Sequence, residues 1–564
     1  SWEDGDHWSS YTVPGATSDV TIDSTVTVDI AGTTTIESLV LGNVGGTTSP
    51  VLNFNYDALT TGALIINGGD LTVHTGADVT HTVGTTVVVG TVYIDVQSGN
   101  ATITGTMNAD GKGYTLLNGS GAGSDRGSYG SGAGHGGQGG DTYDLNAGGG
   151  DVYGSITTPV TIGSGGGQNG ASGGGTGGGA IRLDVSTNLV LNGSITVDGG
   201  NGTTSNAGGG AGGSILLAVA GQLSGTGTVT ADGGNGVNTL SGGGGGGRIA
   251  ISYATQTDTR TYQAYGGGVS SVDFTGGAGT IYINDTTAAT TELIIDNNDS
   301  VVGVSDYYAA GMTPITPSGT PLTLNLTTLT IRNEGNLDLN SDTTINATTL
   351  TWNDSGIVTD RGGTMSPISG AGSLTIPSGA TLYADTARTW SSVANSGTIS
   401  HSQNSTAATY RIDITTTGDF TNTGTIDTDG LGYLGYEGPG AGADTGSYSS
   451  AGGHGGQGGD SYELVVGSGG DVYGSVTAPT TIGSGSGINQ NATNTRQYLG
   501  GHGGGAIELT VGGDLIFNGT MTSDGSDGSN FQAGGGAGGS VFLTVTGQLS
   551  GTGTVTTDGG DGVS

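Results

Sequence analysis

Apolar and polar residues alternate in short runs along most of this chain. In residues 20–30 the order Val-Thr-Ile-Asp-Ser-Thr-Val-Thr-Val-Asp-Ile places most of the apolar side chains on one face. This period of two is typical of a half-buried β-strand, whereas an amphipathic helix needs apolar residues three and four positions apart. The helical spacing is not seen in the sequence, so the pattern predicts an all-β protein.

The strand-like runs recur at a fixed interval. Ile181, Ile215 and Ile249 each follow a glycine run, open an alternating segment and lie 34 residues apart. The Asp-Gly pairs that begin at Asp198 and Asp232 keep the same interval. One unit reads strand, turn, strand, turn, strand and a glycine-rich excursion, which is typical of repeat architectures. We therefore predict a parallel β-helix, or β-solenoid, with long glycine-rich loops and a tandemly duplicated module, and favour the right hand that strand crossovers usually adopt.

A long glycine-rich segment occurs twice. The sequence Gly-His-Gly-Gly-Gln-Gly-Gly-Asp around His135 returns around His454, and the second copy gains seven residues near 487–501, where we expect a surface loop. The chain begins with Ser1 rather than Met and stops inside the second copy, which fits a piece or a processed product of a longer protein. The predicted divisions are N-terminal coils (1–100), the first copy (101–285), spacer coils rich in strands (286–418) and the second copy (419–564).

Glycine accounts for 123 of the 564 residues. Disorder is one interpretation of such a composition, but the strict spacing and the β-branched runs favour an ordered chain. Collagen is excluded because there is no Gly-X-Y period and only 10 prolines are present. Two ordered alternatives remain for the glycine runs. We favour irregular but ordered loops over extended glycine chains that pack side by side as left-handed threefold helices.

The chain is strongly acidic, with 47 Asp and Glu against 10 Lys and Arg and a net charge of −37. This balance excludes nucleic-acid binding, which needs a basic face. It suits a soluble, self-repelling surface outside the cell. The sequence has no Cys, so its stability does not depend on disulfides. No apolar run reaches the roughly 18 residues that cross a bilayer. We predict an extracellular or cell-surface location with no membrane span in this segment.

Recurring Asp-Gly sites end strands in a common frame. Calcium prefers clustered oxygen ligands on glycine-bent loops, which stacked coils bring together, so calcium is the one candidate cofactor. The candidate ligands are Asp110, Asp198, Asp232, Asp429, Asp524, Asp527 and Asp558. We favour the alternative that Asp-Gly is the turn that ends each strand, with the carboxylate bonded to nearby amides. Neither an EF-hand loop nor the nonapeptide calcium repeat is present.

One histidine and one tyrosine stand out in each copy. His135 and His454 occupy equivalent positions, but a single histidine per copy lacks the spaced ligands of a zinc site, so we favour structural hydrogen bonding. Tyr153 and Tyr473 lie in the motif Asp-Val-Tyr-Gly-Ser. We favour a role in covering the glycine-rich layer over one in stacking on sugars, although the two roles look alike in sequence.

The scattered distribution of the basic residues favours a protein without catalytic activity. Lyases and hydrolases that act on polysaccharides with a β-helical fold group carboxylates with Lys or Arg along one face. Here nine Arg and the single Lys are scattered, and Arg182 of the first copy is replaced by Glu508 in the second. There is no Gly-x-Ser-x-Gly elbow, His-Glu-x-x-His motif or phosphate loop. We therefore predict no catalytic activity and no catalytic residue.

A succession of motifs runs through the first copy: His135-Gly-Gly-Gln-Gly-Gly, Val152-Tyr-Gly-Ser, Gly177-Gly-Gly-Ala-Ile, and Gly242–Gly247 followed by Arg248. It resembles the glycine-rich modules of very large bacterial surface or secreted proteins. The opening of the chain, with Trp2, Trp8 and Asp19-Val-Thr-Ile, resembles the first turns of β-helical adhesin-type passengers. The resemblance is strongest in 101–285 and 419–564. It implies a β-helical stalk, fibre or adhesin and supplies no catalytic residue.

These observations together predict a structural extracellular repeat protein that forms a surface stalk, fibre or adhesin. Its expected partners are neighbouring modules of the same longer chain or like chains in a filament, with surface glycans as a further candidate. The alternative is a carbohydrate-binding or carbohydrate-cleaving β-helix protein, which a groove lined by three or more convergent acids and aromatics would favour. Ice binding by threonine rows such as 415–417 needs a flatter array than loop-broken coils provide.

Overall fold

The computed structural model describes residues 1–84, 90–125, 129–142, 148–168, 173–238, 240–257, 260–268, 274–300, 311–353, 355–443, 448–462, 468–487, 500–528 and 532–563. The predicted surface loop near 487–501 lies largely outside the described residues. Helix in the described ranges comprises the 3-10 turn Gly5–His7, the α-helical turn Ala58–Thr61 and a single 3-10 residue, Phe274. The other elements are strands, which confirms the prediction of a nearly all-β protein with parallel sheets. Within these ranges no helix is long and apolar enough to cross a bilayer.

Strands of the N-terminal half pair in parallel with the strand three places further along the chain, and this pairing produces three sheets. Sheet A contains Asp19–Ile22, Ser38–Leu41, Leu71–Val73, Ala101–Ile103, Leu189–Leu191, Gln222–Ser224 and Thr255–Gln256. Sheet B contains Thr27–Ile30, Val51–Phe54, Asp78–His81, Thr106–Asn108, Ser194–Thr196, Thr228–Thr230 and Thr261–Gln263. Sheet C contains Thr34–Ile36, Leu64–Ile66, Val92–Val96, Ala180–Val185, Ser214–Val219, Arg248–Tyr253, Thr280–Asp285, Thr290–Asp296, Leu322–Arg332, Thr343–Trp352 and Thr364–Met365.

The C-terminal half forms three more parallel sheets and also supplies the last strands of sheet C. Sheet D contains Thr313–Pro314, Asn336–Asn340, Ile357–Arg361, Thr381–Ala384, Thr398–Ser400, Thr425–Asp427, Thr520–Thr522 and Thr554–Thr556. Sheet E contains Ser373–Ile376, Ser392–Asn395, Phe420–Asn422, Leu515–Phe517 and Leu549–Ser550. Sheet F contains Arg388–Trp390, Ile412–Thr416, Ala506–Val511 and Ser540–Val545.

The 34-residue interval corresponds to one step across a sheet. In sheet C, Ile181 is the register partner of Ile215, and Ile215 is the partner of Ile249. Sheet B pairs Ile195 with Val229 in the same way. A parallel register places like residues side by side, so each interior row consists of similar aliphatic side chains.

Alternation along each strand separates interior from surface. In Ala180–Val185 the side chains of Leu183 and Val185 are buried, whereas Arg182 and Asp184 between them are partly exposed. Burying one such aliphatic side chain contributes about 1.5–3 kcal/mol. The core is therefore a stack of aliphatic rows, which explains how a chain with only 32% hydrophobic residues can bury them so completely.

The chain reverses direction once among the strand pairs of the described residues. Thr280–Asp285 pairs antiparallel with Thr290–Asp296, next to the predicted division at 285. Across this pair Ile281 lies opposite Ile294, and both contact the N-terminal core. Tyr282 lies opposite Leu293, and both contact the C-terminal core. The hydrophobic core therefore moves from one face of sheet C to the other at this reversal.

The glycine runs are hydrogen bonded with a period of three. Within Gly242–Gly247 the backbone amides of every third residue donate to the same neighbouring segment. The acceptors are the carbonyls of Gly130 and Ala133 for residues 242 and 245, Phe274 and Gly277 for 243 and 246, and Gly234 and Ala231 for 244 and 247. The segment 208–213 repeats the pattern with its own three neighbours. This arrangement matches extended glycine chains that pack side by side with threefold periodicity. The expectation of irregular loops was therefore wrong for these segments.

Close packing explains why glycine is required there. A Cβ atom added to Gly209 would overlap the carbonyl oxygen of Gly234, and one added to Gly242 would overlap that of Gly140. Backbone carbonyls belong to neighbouring hydrogen-bonded chains and cannot move aside cheaply. These glycines therefore form a layer held by backbone contacts, which lies alongside the aliphatic core.

Candidate functional site

The predicted calcium ligands form ladders along the ends of strands. In each ladder a carboxylate Oδ1 accepts a hydrogen bond from the backbone amide of the aspartate in the next layer. In the first copy the amide of Asp198 donates to Asp110, and the amide of Asp232 donates to Asp198, at 2.7 Å each. In the second copy the amide of Asp524 donates to Asp429, and the amide of Asp558 donates to Asp524, at 2.6 Å each. The amide of Asp561 donates to Asp527 at 2.7 Å. The carboxylates thus do what the turn interpretation expects, because they satisfy amides where the strands end.

The second carboxylate oxygen of the central aspartate is also bonded in the two three-membered ladders. Thr230 donates to Oδ2 of Asp198 at 3.0 Å, and Thr556 donates to Oδ2 of Asp524 at 2.8 Å. Burial raises the pKa of Asp198 to about 6. Burial, and then the neighbouring charge of Asp198, raises the pKa of Asp232 to about 7. The stacked carboxylates of the first copy are therefore costly to ionise together.

The described residues contain no group of three or more His, Cys, Asp or Glu side chains placed to hold a metal ion. Within each ladder the oxygens face successive backbone amides, so they are spread along the stack and do not converge on one point. Calcium binding by Asp110, Asp198, Asp232, Asp429, Asp524, Asp527 and Asp558 stays a prediction.

His135 is held inside the glycine-rich layer by both ring nitrogens. Nδ1 lies 2.8 Å from the carbonyl oxygen of Gly212, and Nε2 lies 2.8 Å from the hydroxyl of Thr161. A carbonyl only accepts, so Nδ1 carries the proton and Nε2 accepts from the threonine. In the second copy His454 has the same contacts with Gly538 and Thr481, at 2.9 and 2.7 Å.

A hydroxyl bonded to an imidazole is also the arrangement of a nucleophile and its general base. His135 has no exposed surface, which denies a substrate access to the ring. Burial, and then the charge of Arg248, lowers its pKa to about 3, which makes it a weak base at neutral pH. The pair therefore fits a structural role.

Tyr153 joins the histidine to the glycine-rich layer. Its ring centroid lies 4.5 Å from that of His135, and its hydroxyl donates to the carbonyl of Ile162 at 2.5 Å. Ser164 donates to the same hydroxyl at 2.9 Å and accepts from the amide of Gly121 at 3.0 Å. Tyr473, Ile482, Ser484 and Gly440 repeat these contacts in the second copy. Both tyrosines thus cover glycine-rich backbone.

Two further buried histidines were missed in the sequence. The Nδ1 of His81 donates to the carbonyl of Thr82 at 2.7 Å, and its Nε2 accepts from the amide of Ala180 at 3.2 Å. His401 bonds Ser402 and Ala506 in the same way, at 2.8 and 3.4 Å. Burial lowers the pKa of both histidines to about 4. Each precedes a glycine-rich segment and bonds the strand that follows it, and this shared placement was the available signal.

Arg248 is buried, and no acidic side chain of the described residues pairs with it. Its Nε donates to the carbonyl of Tyr153 at 2.8 Å, and its Nη1 donates to the hydroxyl of Thr280 at 3.2 Å. In the described part of the chain its Nη2 has no hydrogen-bond partner. Burial lowers its pKa to about 10. The guanidinium therefore connects a backbone carbonyl of the first copy to sheet C and has no access to a substrate.

A groove of about 430 Å³ lies where the spacer coils meet the second copy and is lined by Tyr410, Arg411, Tyr433 and Tyr473. Arg411 lies 3.0 Å from the carboxylate of Asp413, which keeps its charge beside the groove. Aromatic faces beside a charged, hydrogen-bonding side chain are suited to sugar rings. This groove has the aromatic lining that the alternative function requires, although it does not bring three acids together.

Comparison with known proteins adds no assignment: no family model, no curated protein and no solved structure matches this chain.

Proposed function

We propose that the chain is a right-handed β-solenoid built from a tandemly duplicated glycine-rich module, and that it serves as an extracellular structural protein, a surface stalk, fibre or adhesin. The observation that carries the proposal is the succession of strand layers from Asp19–Ile22 to Thr554–Thr556, which are parallel on either side of the single reversal. Each layer satisfies the backbone edge of the next, so length is gained by adding layers and no single globular core is needed.

Three properties support a load-bearing role. The layers are joined by strand pairing, by the aspartate ladders and by the backbone bonds of the glycine-rich layer. The sequence contains no Cys, so this cohesion does not depend on a redox compartment. The net charge of −37 keeps neighbouring molecules apart in solution, which suits a long protein exposed outside the cell.

The shape and the location can both be tested. Seven layers in sheet A followed by eight in sheet D, spaced by about 4.8 Å, give a rod about 70 Å long. Small-angle scattering should return this length with a narrow cross-section. Antibodies against the chain should label intact source cells or their medium. A compact particle, or labelling that appears only after the cells are opened, would contradict the proposal.

The second candidate function is carbohydrate binding at the groove of Tyr410, Tyr433 and Tyr473. A glycan array followed by calorimetry tests it directly. Replacing Tyr433 by Ala should then abolish binding, and Tyr11→Ala is a suitable control because Tyr11 is 77% exposed and lies outside the groove. If no glycan binds, the groove is a structural gap between loops.

A further inference from the structure

We propose that the first copy binds a small monovalent anion, of the chloride class, against the buried guanidinium of Arg248. The anion accepts hydrogen bonds from Nη2 of Arg248 and from the hydroxyl of Thr280. This site lies inside the first copy, and the inference is independent of the structural role proposed above. It stands on the burial of Arg248, on the bonding of its three nitrogens and on the charges around it.

The guanidinium of Arg248 is fixed by two hydrogen bonds. Arg248 opens a strand of sheet C, has no exposed surface, and lies in register between Ser214 and Thr280. Its Nε donates to the carbonyl of Tyr153 at 2.8 Å, and its Nη1 donates to the hydroxyl of Thr280 at 3.2 Å. A guanidinium is planar, so these two bonds also determine the position of Nη2.

Nη2 is the nitrogen that these bonds leave over. It is inaccessible to solvent, and in the described part of the chain it has no hydrogen-bond partner. A buried donor without an acceptor lowers the stability of a fold, and the loss is larger when the donor belongs to a charged group. An acceptor beside Nη2 would therefore stabilise the folded chain.

The charge of Arg248 is not balanced by its titratable neighbours. Burial lowers the pKa of Arg248 to about 10, so the guanidinium is charged at neutral pH. Tyr153 is uncharged there, because burial raises the pKa of its hydroxyl. His135, which approaches Gly154 together with Arg248, is neutral as well, because burial and then the charge of Arg248 lower its pKa to about 3. A buried charge of this kind requires a counter-ion.

Two other arginines of the chain show the usual arrangement. Arg182 lies 2.6 Å from Asp184, and Arg388 lies 2.6 Å from Asp360, although their side chains are 34% and 17% exposed. Arg248 is fully buried, yet none of the 47 acidic residues that the structure describes is paired with it. The counter-ion is therefore most needed where the described side chains do not supply one.

The surroundings of Arg248 determine the class of anion. Oγ1 of Thr280 already accepts from Nη1, so its own proton can be donated to the ligand together with one from Nη2. Both side chains are fully buried, so the ligand must be small enough to be enclosed. One negative charge balances the single guanidinium. Chloride meets these conditions, whereas phosphate carries more charge and more oxygen atoms than two donors satisfy.

The test compares thermal unfolding of the chain of 564 residues in sodium chloride and in sodium gluconate at equal ionic strength. Screening of the surface charge is then the same in both salts, and gluconate is too large to be enclosed. We expect a higher midpoint in chloride. Above the dissociation constant, each tenfold increase in chloride should raise the folding equilibrium constant about tenfold, as a single site requires. The net charge of −37 disfavours chloride binding at the surface.

Arg248→Met should remove the difference between the two salts. Methionine keeps an unbranched apolar stem, and loss of an unpaired buried charge is favourable, so we expect this variant to fold and to be insensitive to chloride. Arg182→Met is the matched control. It also removes one positive charge from sheet C, but that charge is partly exposed and paired with Asp184, so the chloride effect should persist.

A second measurement uses the unaltered chain. Crystals grown in bromide should show an anomalous scattering peak within hydrogen-bonding distance of Nη2 of Arg248, and this result does not depend on the folding of a variant. Three outcomes would overturn the proposal: equal midpoints in chloride and gluconate, a chloride effect of the same size in folded Arg248→Met, and a peak beside Nη2 that scatters as water in the bromide crystals.

Discussion

The backbone amide of Asp232 donates a hydrogen bond to Oδ1 of Asp198 at 2.7 Å, and the two residues lie 34 positions apart. Asn235 and Asn201 are joined by the same contact at the same separation and distance. An amide oxygen therefore serves this position as well as a carboxylate does. The ladder requires an acceptor and does not require a charge.

Neutralising Asp232 should stabilise the protein at neutral pH. The folded protein holds its proton up to about pH 7, whereas the unfolded chain releases it above about pH 4. The group therefore costs stability increasingly as the pH rises through this window. We expect Asp232→Asn to match the wild type near pH 4 and to exceed it by about 4 kcal/mol at pH 8 in urea unfolding. A lower stability of Asp232→Asn than of the wild type at pH 8 would show that the negative charge of Asp232 stabilises the fold.

The buried histidines should oppose this trend. The pKa of His135 is lowered to about 3 and those of His81 and His401 to about 4, whereas an unfolded chain takes up the proton below about pH 6.5. Their contribution to stability is complete above about pH 6.5 and is lost as the pH falls towards 4. Nitrogen-15 spectra of the imidazoles should show neutral rings at pH 5. A protonated ring in the folded protein at that pH would contradict the assignment.

The glycine-rich layer should not tolerate one methyl group. Gly209→Ala places a Cβ against the carbonyl of Gly234, so we expect a loss of about 1–3 kcal/mol in the free energy of unfolding. Gly15→Ala is the control, because its Cβ would meet nothing within 4 Å and the expected change is within about 0.5 kcal/mol. Equal effects of the two substitutions would mean that the glycine runs are not in backbone contact.

Calcium should leave the thermal midpoint unchanged. The carboxylates of Asp110, Asp198 and Asp524 already accept hydrogen bonds from the next layer, and the described residues show no convergent acidic cluster. The measurement is thermal unfolding with millimolar calcium and then with chelator. A midpoint that rises with calcium would establish that the ion binds the folded chain and would favour the ligand interpretation of these aspartates.

Sequence spacing predicted the strand pairing because a parallel stack converts a residue interval directly into register, as Ile181 and Ile215 show. It did not predict the reversal after Asp285, since the short turn before Thr290 lacks the glycine that usually identifies a hairpin. It also missed the contact of His81 with Ala180, because the two lie 99 residues apart. The threefold bonding of the glycine runs was underestimated, since composition does not reveal which neighbours a glycine contacts.

The antiparallel pair that places Tyr282 opposite Leu293 has a geometric consequence for the proposed solenoid. A reversal of strand direction alone would make the later layers wind as the mirror image of the earlier ones. Transfer of the core to the opposite face of the shared sheet cancels that inversion. The chirality of winding is therefore kept while the long axis passes from one side of sheet C to the other, which gives the rod an offset without a break in its hydrogen bonding.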